Sequence, residues 1–289
     1  MLQKKIIVPV DFSAFSQYPL ETAIHFAQLK QAEIVLLHVL EEPSLPLRLI
    51  SSTDMEDMRE RAQKLMSQLT SKLGASEVEV STMIKVGKPH KAIVEAAKEI
   101  SAWAIFMSTH GASGIQEYLV GSNASRVIRA ASCPVISFRN PHPRDSFRNI
   151  LLPLDLTKET REKIAFAVEF SEYFGAKINV ISVLQTTDVE IRNRLQQQLV
   201  KVEEFFMNKE IEVSARLLLS EAPISDVVVK YGEEIGADLL MIMTQQELKI
   251  KEHFMGSTAE HIVNHSNIPV ISIRPMRDYQ QPNLSWSFN

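Results

Sequence analysis

The sequence predicts an α/β protein made of two tandem, doubly wound parallel sheets of five strands each. Three observations carry that expectation. Short Val/Ile-rich runs alternate with helical periodicities, and the runs are almost continuously apolar, as strands buried on both faces should be. Ile7-Val8-Pro9-Val10-Asp11-Phe12 returns 144 residues later as Leu151-Leu152-Pro153-Leu154-Asp155-Leu156, and Ile34 to Leu40 returns as Ile178 to Leu184 at the same interval. Further on, Gly121-Ser122 matches Gly256-Ser257, and Cys133 to Ser137 matches Ile268 to Ser272, now 135 residues apart. The second copy is therefore shorter, and the loss is expected in the segment equivalent to residues 41–60.

Strands of the first copy are expected at Lys5–Val10, Ile34–Leu40, Val78–Ile84, Ala104–Met107 and Val135–Phe138. Leu20, Ala23, Ile24 and Ala27 share one face of the first helix. Met55, Met58, Ala62, Leu65, Met66, Leu69 and Leu73 form the expected core face of the second, which Gly74 stops. Asp54, Glu56 and Asp57 place favourable charge in its first turn. Pro89 suits the first turn of a third helix, with Ile93, Ala96 and Ala97 facing inward. In the second copy Ile164, Ala167 and Val168 take the places of Leu20, Ala23 and Ile24. A polar, proline-containing stretch at 139–146 reads as a linker, giving domains at 1–140 and 147–275. A tail, 276–289, is polar and then aromatic, with Trp286 and Phe288.

Bulk properties narrow the function. A net charge of −4 leaves no electrostatic footprint for nucleic acid or an anionic membrane surface. No apolar run reaches the roughly 18 residues of a membrane span, and the first residues lack the pattern of a secretory signal. With a single cysteine, a cytoplasmic protein is expected. Cys133, directly before Pro134, reads as a buried structural thiol.

The chemistry concentrates in Ser108-Thr-His-Gly-Ala-Ser-Gly114 and the Gly121-Ser122 that follows it. A glycine-rich turn between a strand end and a helix start presents backbone N–H groups to an anion, and phosphate is the natural one. The spacing, Ser108-x2-Gly111-x9-Gly121-Ser122, is neither a Walker loop nor a dinucleotide fingerprint. Ser122 is placed to cap the next helix and to offer its hydroxyl to a phosphate. Asp11, at the end of the first strand, reads either as a ligand-side carboxylate or as a cap for the loop Phe12-Ser13-Ala14. His38 lies within an apolar strand and reads as a satisfied sheet histidine.

That spacing resembles the nucleotide-binding signature of the universal stress protein family, G-x2-G-x9-G-[ST], with Ser108 in place of the first glycine. Val8-Pro9-Val10-Asp11-Phe12-Ser13 and Cys133-Pro134-Val135-Ile136 match the family in the same order. The resemblance implies an adenine nucleotide hydrolase-like fold holding ATP, or ADP or AMP, between the ends of strands one, two and four. It implies binding by Pro9, Asp11, Ser13, Val39, Met107, Ser108, His110, Gly111, Gly114, Gly121, Ser122 and Asn123. The backbone of Val39 would read the adenine edge, and Asp11 would touch Mg2+ indirectly through the nucleotide. Ser108 is small, so binding is expected to survive the substitution. Family members also pair through their fifth strands, here Val135–Phe138 and Val270–Ile273, which leaves open an internal pseudo-dimer or a homodimer.

The second copy departs further. Met243-Thr-Gln-Gln-Glu-Leu-Lys249 replaces the turn, so its flexible positions are gone and Glu247 opposes a phosphate. Lys249 and Lys251 read as solvated surface. The expected protein is a stress-response regulatory module that binds a nucleotide in its first domain, with the second as scaffold and with protein partners the sequence does not identify. No Walker lysine or arginine finger is identifiable, so efficient catalysis is not expected. Slow ATP hydrolysis assisted by Asp11 and His110, and a ligand-free interaction scaffold, remain open as alternatives.

Overall fold

The computed structural model describes residues 4–41, 52–73, 77–110, 121–141, 147–155, 160–244 and 255–275. The chain forms two compact units, residues 1–142 and 143–289. In the first, the elements run β1 (Lys5–Pro9), α1 (Gln17–Lys30), β2 (Glu33–Leu40), α2 (Ser52–Leu73), β3 (Val80–Val86), α3 (Pro89–Glu99), β4 (Ala104–Ser108), α4 (Ser122–Ala130) and β5 (Val135–Phe138). A 3-10 turn at Ala14–Ser16 precedes α1. Every strand pairing is parallel, in the order β3-β2-β1-β4-β5.

Strand order reverses between β1 and β4. There the pairing is short, Ile6 with Ala104 and Ile7 with Ile105, whereas β1 follows β2 from Lys5↔Glu33 to Pro9↔Leu37. Two strands that separate early leave a crevice beyond their carboxyl ends, the usual ligand position in such sheets.

The core lies between sheet and helices. Leu20, Ala23 and Ala27 of α1 are buried as expected, but Ile24 is half-buried and Phe26 takes the central place. Phe26 stacks on Trp103 at 4.5 Å and leans on Phe106 at 5.7 Å. Burying a side chain of this size contributes about 1.5–3 kcal/mol relative to leaving it in water. Ile93, Ala96 and Ala97 of α3 are buried, and Pro89 occupies the first turn.

Two expectations need correction. The face assigned to α2 is narrower than its apolar spacing implied: Ala62 and Met66 are buried, while Met58 and Leu65 are exposed. Strand three begins at Val80, not Val78, and it is not buried on both faces. It lies at the sheet edge, which explains Ser81, Thr82 and Lys85 among its residues. It runs as far as β2 supports it, to Leu40↔Val86, where Gly87 turns the chain at φ +140°.

The second unit repeats the plan with β6 (Asn149–Pro153), α5 (Thr160–Phe174), β7 (Lys177–Leu184), α6 (Val189–Met207), β8 (Val213–Leu219), α7 (Ile224–Glu234), β9 (Leu239–Met243), α8 (Ser257–His265) and β10 (Val270–Ile273). Its parallel order is β8-β7-β6-β9-β10. Ile164, Ala167 and Val168 are buried, as the repeat predicts. The shortening falls mainly between β7 and α6, where residues 185–188 stand for residues 41–51 of the first unit. Asp188 makes the short link workable by capping α6, accepting from the N–H groups of Glu190 (2.8 Å) and Ile191 (3.2 Å). Gly74, the side chain of Asp54, linker residues 142–146 and the tail from 276 lie outside the described residues. Among those described, no helix is long and apolar enough to cross a membrane.

Candidate functional site

A cleft of about 310 Å³ opens at the switch point of the first unit. Its floor is the end of β1 (Pro9, Val10), its flanks are β2 (Leu37, His38, Val39) and β4 with the following turn (Met107 to His110). The start of α3 (Pro89, Ile93) and the start of α4 (Gly121 to Ala124) close the far wall. Asp11 and Glu41 stand at its edge, both exposed.

Ladder parity explains how β2 faces the cleft. Leu37 C=O accepts from Val10 N–H at 2.8 Å, on the β1 side, and Leu40 C=O accepts from Gly87 N–H at 2.9 Å, on the β3 side. The alternation turns the backbone of Val39 toward β1, which has already ended. The ladder partner that Val39 would otherwise meet, Val10 C=O, is taken by His38 Nδ1 at 2.8 Å. A carbonyl can only accept, so His38 carries its proton on Nδ1. The histidine is thus a satisfied peg, and it leaves the Val39 edge facing the cleft.

Asp11 does what its loop-cap reading expects. Its Oδ1 accepts from Ser13 N–H (3.0 Å) and Ser13 Oγ–H (2.6 Å), closing a turn on itself. Between them Phe12 adopts φ +62°, a conformation costly for a non-glycine residue, with its ring 4.5 Å from that of His38. Ser13 itself lines an adjoining cavity of about 150 Å³ with Leu65 and Lys72.

On the β4 side, Thr109 N–H bonds Phe138 C=O at 2.9 Å, and Gly121 N–H bonds Thr109 C=O at 2.7 Å, which brings the start of α4 back over the strand end. A Cβ on Gly121 would lie 3.0 Å from that carbonyl oxygen. Close approach therefore favours glycine there, and its φ of −53° is an ordinary one. Gly121, not Ser122, is the N-cap, and no side chain caps the helix. This corrects the capping role expected of Ser122: the chain enters one residue earlier, so Ser122 is the first helical residue. The N–H groups of Ser122, Asn123 and Ala124 have no intrahelical acceptor by position.

Ser108 has no positive φ, so its Cβ causes no clash. Its Oγ accepts from His110 N–H at 3.1 Å. Thr109 Oγ1 lies 3.1 Å from His110 Nδ1, and the His110 ring is 5.9 Å from Phe15. Burial and the Arg139 guanidinium hold the His110 imidazole below its usual pKa, so it is neutral near pH 7.

The structure thus gathers Pro9, Asp11, Val39, Met107, Ser108, His110, Gly121, Ser122 and Asn123 around one cleft, and sets Ser13 beside it. Gly111 and Gly114 lie outside the described residues. Sequence reasoning missed Glu41, Pro89 and Ile93, which carry no motif and reach the cleft only through the fold.

In the second unit the carbonyls equivalent to those of Pro9 and Asp11 accept from the unit's own side chains. Lys163, buried and standing where the first unit has Pro19, donates from Nζ to Pro153 C=O at 2.6 Å. Gln198, buried on α6, donates to Asp155 C=O at 2.7 Å. Ser182 takes over the role of His38, donating to Leu154 C=O at 2.9 Å. Glu247, Lys249 and Lys251 lie outside the described residues.

Repeated doubly wound parallel units, the first with a cleft at its switch point, define a tandem α/β protein. The sequence profile of the universal stress protein family matches twice, over residues 3–139 and 146–274. The chain belongs to the universal stress protein family. It is 30% identical over 153 residues to universal stress protein MJ0577 of Methanocaldococcus jannaschii, covering 47% of this chain and 94% of that protein. It is 32% identical over 143 residues to MJ0531 of the same organism, covering 48% and 84%. Among solved structures, a universal stress protein from Archaeoglobus fulgidus matches with a TM-score of 0.77 at 20% identity, over 95% of this chain and 97% of that one, a likeness of fold.

Proposed function

We propose that the first unit binds an adenine nucleotide in the 310 Å³ cleft, as a regulatory module of a stress response, and that the second unit serves as scaffold. One observation carries this reading: the open backbone edge of Val39 and the uncapped start of α4 face the same cleft from opposite sides. A strand edge offering one donor and one acceptor suits the adenine ring, and the first-turn amides with the Ser122 hydroxyl suit the phosphates. Bound nucleotide would bridge the ends of β2 and β4 and so alter a surface read by protein partners.

Among the described residues no group of three or more His, Cys, Asp or Glu could hold a metal ion. A cleft with Asp11 at its edge fits Mg2+ that arrives with the nucleotide and is held chiefly by phosphate oxygens, offsetting their charge beside the carboxylate. In the second unit Lys163 and Gln198 hold the carbonyls of Pro153 and Asp155, which favours scaffold over a second ligand site.

The test is amide chemical-shift mapping of the full chain with Mg-ATP. Shifts are expected at Val39 and Gly121 to Ala124, with Val183 and Gly256 to Ala259 unmoved. Shifts confined elsewhere, or equal in both sets, would overturn the assignment.

A further inference from the structure

In the second unit, α8 carries two histidines one helical turn apart, His261 and His265, which the nucleotide reading does not use. Residues four apart are neighbours on a helix surface. Their rings stack with centroids 3.9 Å apart and planes 19° from parallel. His261 is half-buried and His265 is exposed.

Each ring has one nitrogen committed and one open. Asp226 Oδ1, reaching across from α7, lies 2.8 Å from His261 Nε2. A carboxylate only accepts, so in the neutral imidazole Nε2 carries the proton and Nδ1 keeps its lone pair. His265 Nδ1 lies 2.8 Å from the carbonyl oxygen of His261. A carbonyl also only accepts, so the lone pair of His265 is on Nε2. Among the described residues neither open nitrogen has a hydrogen-bond partner. Metal-binding histidines are held in this way: one ring nitrogen donates to a carboxylate or backbone carbonyl, which fixes the tautomer and leaves the other for the metal.

The first unit supplies an internal comparison. Helices α3 and α4 correspond to α7 and α8 at an interval of 135 residues. Lys91, Arg126 and Ala130 stand there in place of Asp226, His261 and His265. Two cations and a methyl group offer a metal ion nothing, so the arrangement belongs to the second unit alone.

We propose that His261 and His265 chelate one divalent, late first-row transition-metal ion, with Asp226 as the positioning residue. Imidazole nitrogen suits Zn2+, Cu2+ and Ni2+, whereas Mg2+ and Ca2+ prefer oxygen ligands. The ion takes the two open nitrogens at about 2.0–2.1 Å. The rings leave their stack by turning about their own side-chain bonds, and water completes the coordination. Asp226 stays outside, bonded to His261. The bound ion closes one turn of α8 and, through Asp226, ties that helix to α7, so the scaffold unit gains a metal-dependent clasp. The site is independent of the nucleotide cleft.

Calorimetric titration of the metal-free full chain with ZnCl2 tests this, with MgCl2 titrated separately and no nucleotide present. One Zn2+ per chain is expected, and no Mg2+. His265→Gln should weaken Zn2+ binding by at least about tenfold, and Asp226→Asn by about tenfold with one site per chain retained. Both replaced side chains are exposed, so folding, checked by circular dichroism, is expected to be unchanged. Zn2+ affinity that His265→Gln leaves unchanged would place the ion on other residues and overturn the site. So would Mg2+ bound as tightly as Zn2+, or no Zn2+ binding at millimolar concentration. Affinity lost in His265→Gln but kept in Asp226→Asn would overturn the positioning role and leave the histidine pair standing.

Discussion

Gly121 and Gly256 occupy the same place in the repeat, both N-caps with nearly the same backbone (φ −53°, ψ 143° and φ −59°, ψ 146°). Replacing each with alanine separates sterics from everything else. Two contributions act alike in both units. Alanine is a poorer N-cap than glycine, and it restricts the unfolded chain, which stabilises by about 0.4–1 kcal/mol. These nearly cancel, and they cancel equally. What differs is the space for the new Cβ: at Gly121 it meets the Thr109 carbonyl oxygen at 3.0 Å, while at Gly256 it meets nothing within 4 Å. That oxygen belongs to backbone already held by the Gly121 N–H bond at 2.7 Å, so it can yield little. Overpacking of this kind costs about 1–2 kcal/mol. Gly256→Ala is therefore expected to be near neutral and Gly121→Ala to be destabilising by that amount. Urea unfolding followed by circular dichroism reads the difference as a midpoint lower by roughly 0.5–1 M for a slope near 2 kcal/mol/M. Equal shifts in the two variants would refute the argument, because they would show that the cap and not the carbonyl contact decides.

Two further outcomes follow from the perturbed titrations. His90 and His110 bind protons less readily in the folded chain than in the unfolded one, whose reference value is 6.5. Stability is therefore complete above pH 6.5 and falls as the pH drops below it, and a chain carrying His90→Gln and His110→Gln should show a flatter urea-midpoint profile between pH 7 and 5. Burial opposes ionisation of Glu33, yet its hydrogen bond from Ser81 and its pair with Lys5 hold the carboxyl below its usual value of 4.5, so a separate loss is expected as the pH falls below that point. A midpoint independent of pH from 7 to 4 would contradict both. Burial pushes the Cys133 thiol up to about 12, so labelling of the folded chain by a thiol reagent at pH 8 should be far slower than labelling in urea. Equal rates would show that Pro134 and its surroundings do not shield the sulfur.

The fold was legible because the buried strands repeat at fixed intervals and because a parallel sheet demands long apolar runs. Legibility failed where burial is one-sided. The edge strand β3 carries Ser81 and Lys85, and its start was misplaced by two residues because Val78 and Val80 mark it equally well in sequence. The stripe of α2 read as core, yet Met58 and Leu65 are exposed, since sequence spacing fixes a face and not the width of what covers it. The cleft was legible in part for a similar reason. Gly121 and Asp11 belong to motifs, but Glu41, Pro89 and Ile93 arrive from elements whose sequences carry no signature. Lys163 and Gln198 were invisible because a lysine or glutamine on a helix face reads as solvated until a strand-end carbonyl is found beside it.

The central claim is one nucleotide site per chain, in the first unit. Its most direct test is calorimetric titration of nucleotide-stripped full-length protein with Mg-ATP, read for stoichiometry. The account predicts one site per chain, abolished by Gly111→Val. Two sites would show that the second unit retains a working cleft despite Lys163 and Gln198, and no binding at millimolar ATP would show that the bond from His110 N–H to Ser108 has disabled the turn. Either result would contradict it.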